Sequence, residues 1–188
     1  MFRVNDVVMY GSYGICRISA IEKRNFFGDE QDYYVLRHIH DVKSTAYVPL
    51  NNQETVGKLH PICTKEEVDD LILHMKDAAP AWIANDTVRN EEYNKITKSG
   101  DRYAIIMMLK SIYVHRQKLA LVRKKLPSTD EKFFKNAETL LFEEFAYALG
   151  IEKADVKKYI RSHIGDDHQS GDGQSGDGSR SIRGRFPD

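Results

Sequence analysis

The chain has 188 residues, 41% hydrophobic and 30% charged, and its 28 basic and 28 acidic side chains cancel to a formal charge of zero. That length allows one domain or two small ones with a modest core, and no apolar run reaches the roughly 18 residues a membrane span needs. No secretory leader precedes Phe2, and neither Cys16 nor Cys63 has CxxC or Cys/His ligand spacing, so the expectation is a soluble, cytoplasmic protein with two buried thiols.

The first fifty residues carry strand signals. Val4, Val7, Val8 and Tyr10 lead into a Gly11-Ser12-Tyr13-Gly14 turn, and Ile15, Arg17, Ile18 and Ile21 follow with partial alternation. Phe26-Phe27 before Gly28-Asp29 reads as a strand end and a tight turn. Tyr33 to Leu36 form another strand, and Thr45, Tyr47 and Val48 a last one stopped by Pro49. Five short strands in about fifty residues are too few for a sandwich, so a small Tudor-like or SH3-like β-barrel is predicted.

The pattern changes near Asn51, and the rest reads as helix. Thr64 with Glu67 is a capping box that opens a helix through Val68, Leu71, Ile72 and Met75. Pro80 suits a first helical turn, so a second helix is expected from near Pro80 to Lys98, with Asn85-Asp86-Thr87 as a point of interruption. Ser99-Gly100 ends it and Asp101 caps the next, whose apolar stripe runs Ile105, Ile106, Met108, Leu109, Ile112 and Tyr113. Ser128 with Glu131 repeats the capping box ahead of Phe133, Phe134, Leu140, Leu141, Phe145 and Leu149. Gly150 is a C-cap, and a short helix ends near His163. The expected organisation is therefore α+β in two domains, a barrel over residues 1–53 and an all-α domain over 54–164. A tail over 165–188 repeats Gln-Ser-Gly-Asp-Gly and is expected to be disordered, because such a composition buries too little surface to offset its ordering entropy. Its Arg180, Arg183 and Arg185 offer weak nucleic-acid contacts or serve only for solubility.

The neutral total hides an uneven distribution. Residues 95–125 carry nine basic side chains and one acid, Asp101, enough to attract a polyanion unless they are the solvated face of ordinary helices. Chemistry for catalysis is missing by spacing. There is no phosphate-binding glycine loop and no nucleophile elbow, and the pairs Asp69-Asp70 and Glu143-Glu144 are adjacent on helices and point apart. His38 and His40 would face the same side of a strand and can share a metal, yet no third ligand is evident. The reading is a non-enzymatic protein with no cofactor and no metal. Trp82, the only tryptophan, is either core or a ring placed to wedge against unstacked bases or the minor groove, with Arg89, Lys95 and Lys98 at helical spacing for phosphates.

These residues resemble the CarD/CdnL family of bacterial RNA polymerase-binding transcription regulators. The N-terminal resemblance lies in Phe2-Arg3-Val4-Asn5-Asp6-Val7-Val8-Met9-Tyr10, then Gly14, Ile18, Ile21-Glu22, Gly28, Tyr33-Tyr34-Val35-Leu36 and Val48-Pro49. The C-terminal one lies in Trp82, Arg89, Lys98-Ser99-Gly100-Asp101 and Leu126-Pro127-Ser128-Thr129-Asp130-Glu131-Lys132. The resemblance implies a barrel that docks on the polymerase β subunit through Arg24 and Phe26, with edge-strand pairing as the physical mode. It also implies a helical domain at the upstream edge of the transcription bubble. There Trp82 is the minor-groove wedge, Arg89 a phosphate contact, and Lys95, Lys98, Lys124 and Lys125 further contacts, stabilising the open promoter complex without sequence-specific readout. A partner role confined to protein–protein contact is the alternative.

Four departures from the family pattern accompany it. Gly11 stands where proline is usual, Tyr13 where histidine is frequent, and Tyr47 where many members present an arginine to the polymerase. Trp82 is also about four residues further from Gly100 than in relatives; on a helix, one extra turn keeps the ring's direction and moves it by about 5 Å.

Overall fold

The computed structural model describes residues 1–164 apart from residues 27, 42 and 78. Phe27 and the terminal repeat with its arginines lie outside the described residues. Five strands form one antiparallel sheet: β1 (Val7–Tyr10), β2 (Gly14–Asn25), β3 (Glu30–His38), β4 (Thr45–Pro49) and β5 (Leu59–Pro61), in the order β4-β3-β2-β1-β5. A single 3-10 turn, Gly11–Tyr13, joins β1 to β2, and a one-turn helix α1 (Gln53–Val56) precedes β5. Five helices follow: α2 (Lys65–Asp77), α3 (Asp86–Ser99), α4 (Arg102–Leu121), α5 (Ser128–Leu149) and α6 (Lys153–Ile164). The two-domain α+β organisation is as expected.

The sheet differs from the predicted barrel in its strand ends, its last strand and its closure. The strand end read at Phe26-Phe27 falls at Asn25, where the twelve-residue β2 stops. Asn25 also closes the turn that follows, its Oδ1 accepting from the Gly28 N–H at 2.8 Å. The fifth strand is Leu59–Pro61, which pairs with β1 beyond the boundary expected at Gln53. Among the described residues β4 and β5 do not pair with each other, so the barrel is not closed. Both edge strands are short and end in proline, Pro49 and Pro61, which has no N–H to extend a ladder. A register shift between Ile18 and Ala20 bends β2, and the Ser19 hydroxyl donates to the Val35 carbonyl there at 3.0 Å.

Strand alternation gives the sheet two faces. Val8, Cys16, Ile18, Tyr34, Leu36, Val48 and Leu59 form the inner core. The cross-strand pairs Glu22–Tyr33, Tyr33–Pro49 and Val35–Tyr47 lie on the outer face. The helices enclose two further cores, one from α2, α4, α5 and α6 around Ile72, Ile106, Leu141 and Phe145, and one from α3, α4 and α5 around Tyr93, Met108, Ile112 and Ala137.

Helix ends follow local chemistry. The Thr64–Glu67 box forms as expected, with the Thr64 N–H donating to Glu67 at 2.8 Å and the Glu67 N–H to Thr64 Oγ1 at 3.2 Å. Asp101 caps α4, accepting from the Ala104 N–H at 3.0 Å, and Gly100 and Gly150 adopt left-handed C-cap geometry. The second predicted capping box is not formed. Pro127 holds the cap position, and Ser128 is already inside α5.

The domains meet through polar contacts, the central one buried at Glu144. Glu144 of α5 is 1% exposed and accepts from the Cys63 N–H at 3.1 Å and from Arg102 Nε at 2.9 Å; Arg102 also donates to the Pro61 carbonyl. His60 of β5 donates through Nε2 to the Ser99 carbonyl at 2.9 Å. A Cβ on Gly100 would come within 2.7 Å of the His60 ring, so that glycine serves the left-handed turn and the close approach together. Burial pushes the thiols of Cys16 and Cys63 up to about 12, which leaves both inert as nucleophiles at neutral pH. Among the described residues no helix is long and apolar enough to cross a membrane.

Candidate functional site

Trp82 does not lie on a helix. α3 begins only at Asp86, capped by Asn85, whose side chain accepts from the Val88 N–H at 3.1 Å. The interruption at Asn85-Asp86-Thr87 is thus the true helix start, because an Asn cap outcompetes a helix begun at Pro80. The extra-turn argument therefore does not apply, since residues 79–85 are non-helical.

The ring is nevertheless held on several sides. The Ser111 hydroxyl donates to the Ala81 carbonyl at 3.1 Å and pins the segment to α4. The His115 imidazole stacks on the indole with centroids 3.7 Å apart and planes 5° from parallel. The Arg89 guanidinium carbon is 4.4 Å from the indole centroid. Trp82 is half-buried against the third core cluster.

Arg89 departs from the expected phosphate contact. It is 3% exposed, and its guanidinium is already committed. Nε and Nη2 donate to the two carboxylate oxygens of Asp130 at 2.9 and 3.0 Å, Nη1 donates to the Ile83 carbonyl at 2.8 Å, and Nη2 also donates to Asp86 at 2.8 Å. Asp130 is fully buried, and its hydrogen bonds hold the Arg89 pKa above the ordinary value, so the group stays charged. A side chain in that position supports Trp82 and has no free edge for a phosphate. The spacing that placed Arg89 on the face of Lys95 and Lys98 does not carry over to α3. Arg89 and Tyr93 form the buried face, while Lys95 and Lys98 are exposed one turn apart on the other side.

The remaining basic residues divide similarly. Arg102 is held by Glu144, and Lys110 Nζ donates to the Met75 and Lys76 carbonyls at the end of α2. Arg116 packs over Phe134 at 4.7 Å. Lys118, Arg123, Lys124 and Lys125 are exposed. Lys124 and Lys125 line a groove of about 410 Å³ between the end of α4 and the start of α5, with Arg116, Leu126 and Ser128. The basic stretch is thus partly structural, and its exposed part is concentrated at Lys95, Lys98 and the tip of α4.

Arg24 and Phe26 meet Tyr47, some twenty residues further along the chain, on the outer sheet face. The Phe26 ring lies edge-on to Tyr33 and to Tyr47, each at 5.1 Å, and the Arg24 guanidinium carbon is 5.9 Å from the Tyr47 centroid. Phe26 and Tyr47 are 48% and 41% exposed, whereas Tyr33 beneath them is buried. With Gln31, Pro49, Asn51 and Asn52 they border an open groove of about 610 Å³. Arg24 is ion-paired with Glu22 on the same strand. Tyr33 belongs to this cluster, and its place was legible only as a strand residue.

His38 and His40 have ring centroids 5.9 Å apart, and the His38 Nδ1 accepts from the His40 N–H at 3.2 Å. Among the described residues no three His, Cys, Asp or Glu side chains are grouped to hold a metal ion. His115, Asp130 and Ser111 carry the Trp82 site, and of these only Asp130 lay in a sequence motif, Leu126–Lys132, with no role attached to it. Each comes from α4 or α5 and meets the 79–89 segment only through packing.

The chain thus carries an aromatic cluster on its sheet face and a separately mounted aromatic ring on its helical domain. Residues 2–62 match the CarD-like/TRCF RID domain, and residues 71–161 match the CarD C-terminal domain. The chain belongs to the CarD/CdnL family, whose domains mark it as a transcription regulator that interacts with RNA polymerase.

Proposed function

We propose that the chain docks on the β subunit of RNA polymerase through its sheet and stabilises the open promoter complex by setting Trp82 against upstream-fork DNA, without sequence-specific readout and without catalysis. The reading requires no cofactor, and it puts the protein in the cytoplasm, on the nucleoid through its polymerase. The carrying observation is the posture of Trp82: a half-buried ring on a non-helical segment, braced by His115 and Arg89, with exposed lysines on the same domain. Wedging into the minor groove costs a few kcal/mol of unstacking, recovered by holding the distorted duplex. The lysines at 95, 98, 124 and 125 supply backbone attraction that falls steeply with salt. Binding the open state better than the closed one shifts promoter opening by that difference in affinity alone.

The test is open-complex lifetime on a promoter with the cognate polymerase, with and without the protein. The wild type lengthens it, and Trp82→Ala removes the effect while polymerase binding is retained. The burial of Arg89 and the partial burial of Trp82 also fit a protein–protein adaptor with Trp82 as core; no change in lifetime with the protein still bound to polymerase assigns it to that class, and equal loss of both activities in Trp82→Ala makes Trp82 core.

For the sheet, we propose that β4, whose outer edge is unpaired among the described residues, offers that edge to a polymerase strand, with Phe26 and Tyr47 giving side-chain selectivity. Phe26→Ala and Tyr47→Ala are each expected to weaken polymerase binding by roughly tenfold, as expected for aromatic anchors at an interface. Arg24→Ala has a smaller effect, because an exposed arginine already paired with Glu22 gains little from a second partner. Titrating labelled polymerase with each variant checks the order; a dominant loss at Arg24 overturns the aromatic reading.

A further inference from the structure

Trp82 presents a mechanical problem. A ring that enters a duplex must resist being pushed aside, yet no helix backbone carries this one. Its neighbours are not equivalent. Arg89 is immobilised by hydrogen bonds to Asp130, Asp86 and the Ile83 carbonyl. His115 projects from the middle of the twenty-residue helix α4 and lies flat on the indole at 3.7 Å. Flat contact between two aromatic rings fixes the tilt of the more mobile one, and α4 is anchored in both helical cores.

We infer that His115 is a positioning residue for Trp82: its imidazole, together with the locked Arg89, holds the indole in a single posture, so that DNA meets a preformed blade. The inference rests on Trp82 being the ring that enters the duplex. Ordering a free tryptophan at the moment of binding costs conformational entropy, and pre-stacking it in the unbound protein removes that cost. The groups facing the imidazole are Arg89 from α3, Asp130 from α5 and Lys118 from α4 itself. Burial and the two cations hold its pKa below the ordinary value, against the pull of Asp130, so the stack is one of neutral rings at pH 7.

Because the chain has one tryptophan, indole emission of the intact protein reports this ring alone. Emission and acrylamide quenching are measured against pH for wild type, His115→Phe and His115→Ala, alongside open-complex lifetimes and far-UV circular dichroism as a folding control. A protonated imidazole in contact with indole quenches it, so wild-type emission falls on acidification with a midpoint below the ordinary histidine value of about 6.5. Both variants lack that step. His115→Ala makes the ring more accessible to acrylamide and cuts the gain in lifetime by about three- to tenfold, the scale of one aromatic stack. His115→Phe, which keeps a flat ring, restores accessibility and lifetime at neutral pH.

Absence of a His115-dependent emission step overturns the inference, because the stack is then not populated in solution. So does a wild-type lifetime gain in His115→Ala, or failure of a folded His115→Phe to restore it. Trp82→Ala measured in parallel separates the two levels. If it leaves the lifetime unchanged, the wedge reading falls and takes this role with it; if it abolishes the gain while His115→Ala does not, this inference alone falls.

Discussion

Asp130→Ala lowers the stability of the protein by about 3–5 kcal/mol, the usual cost of leaving one member of a buried ion pair without its partner. Arg89 and Asp130 are 3% and 0% exposed, and truncation leaves a guanidinium that water cannot reach and that Asp86, itself exposed, satisfies at only one nitrogen. The same change frees the cation that supports Trp82, so indole emission shifts to longer wavelength and the open-complex effect weakens in parallel. Urea unfolding followed by circular dichroism and by tryptophan emission checks both. Replacing the pair together, as Arg89→Met with Asp130→Leu, recovers most of the stability, because two apolar side chains need no compensation. It does not recover the posture of Trp82, because methionine puts no cation over the indole. A double variant that is stable yet inactive separates support of the fold from support of the ring. Loss below about 1 kcal/mol in Asp130→Ala would show that the pair is solvated in solution.

Glu144→Ala has the second large effect, about 3 kcal/mol, for a related reason. Its carboxylate receives the Cys63 N–H and the Arg102 guanidinium, and Arg102 in turn reaches the Pro61 carbonyl. Removing it strands a backbone donor between β5 and α2 and detaches α4 and α5 from the end of the sheet. Arg102 is 20% exposed at its side chain and recovers some hydration, which keeps the loss below that of a fully enclosed pair. The decisive readout is local: amide exchange at Cys63 accelerates and the two domains rotate more freely, visible as a larger radius of gyration in solution scattering. For a protein proposed to bridge polymerase and DNA, a loosened junction lowers open-complex stabilisation even when each domain still binds its own partner. Unchanged exchange at Cys63 would remove Glu144 from that role.

Much of the architecture was legible because it is written in short-range chemistry. The Thr64–Glu67 box, the Asp101 cap and the left-handed glycines at 100 and 150 each depend on hydrogen bonds or dihedrals within a few residues. Where local signals competed, reading them failed. Pro80 suggested a helix start, but the Asn85 cap prevailed and left Trp82 outside α3. Ser128 had the spacing of a cap, but Pro127 occupies that position. β5 was missed because three residues carry no periodicity, and only its pairing with β1 makes Leu59–Pro61 a strand.

The sequence by itself determined the two-domain plan, the family resemblance and the prominence of Trp82 as a lone ring beside basic residues. The tertiary structure alone decided what the surrounding side chains do. Arg89 looked like a phosphate ligand by helical spacing, and its bond to Asp130, 41 residues away, turns it into a brace. Arg24, Phe26 and Tyr47 became one surface through the register of β2, β3 and β4. His115 left no trace in any local pattern, because a stack between a loop and the middle of another helix has no period and no motif. Caps and turns are settled by neighbours along the chain, whereas charge pairing and ring stacking are settled by neighbours across the core, where removal from water makes each partner's presence decisive.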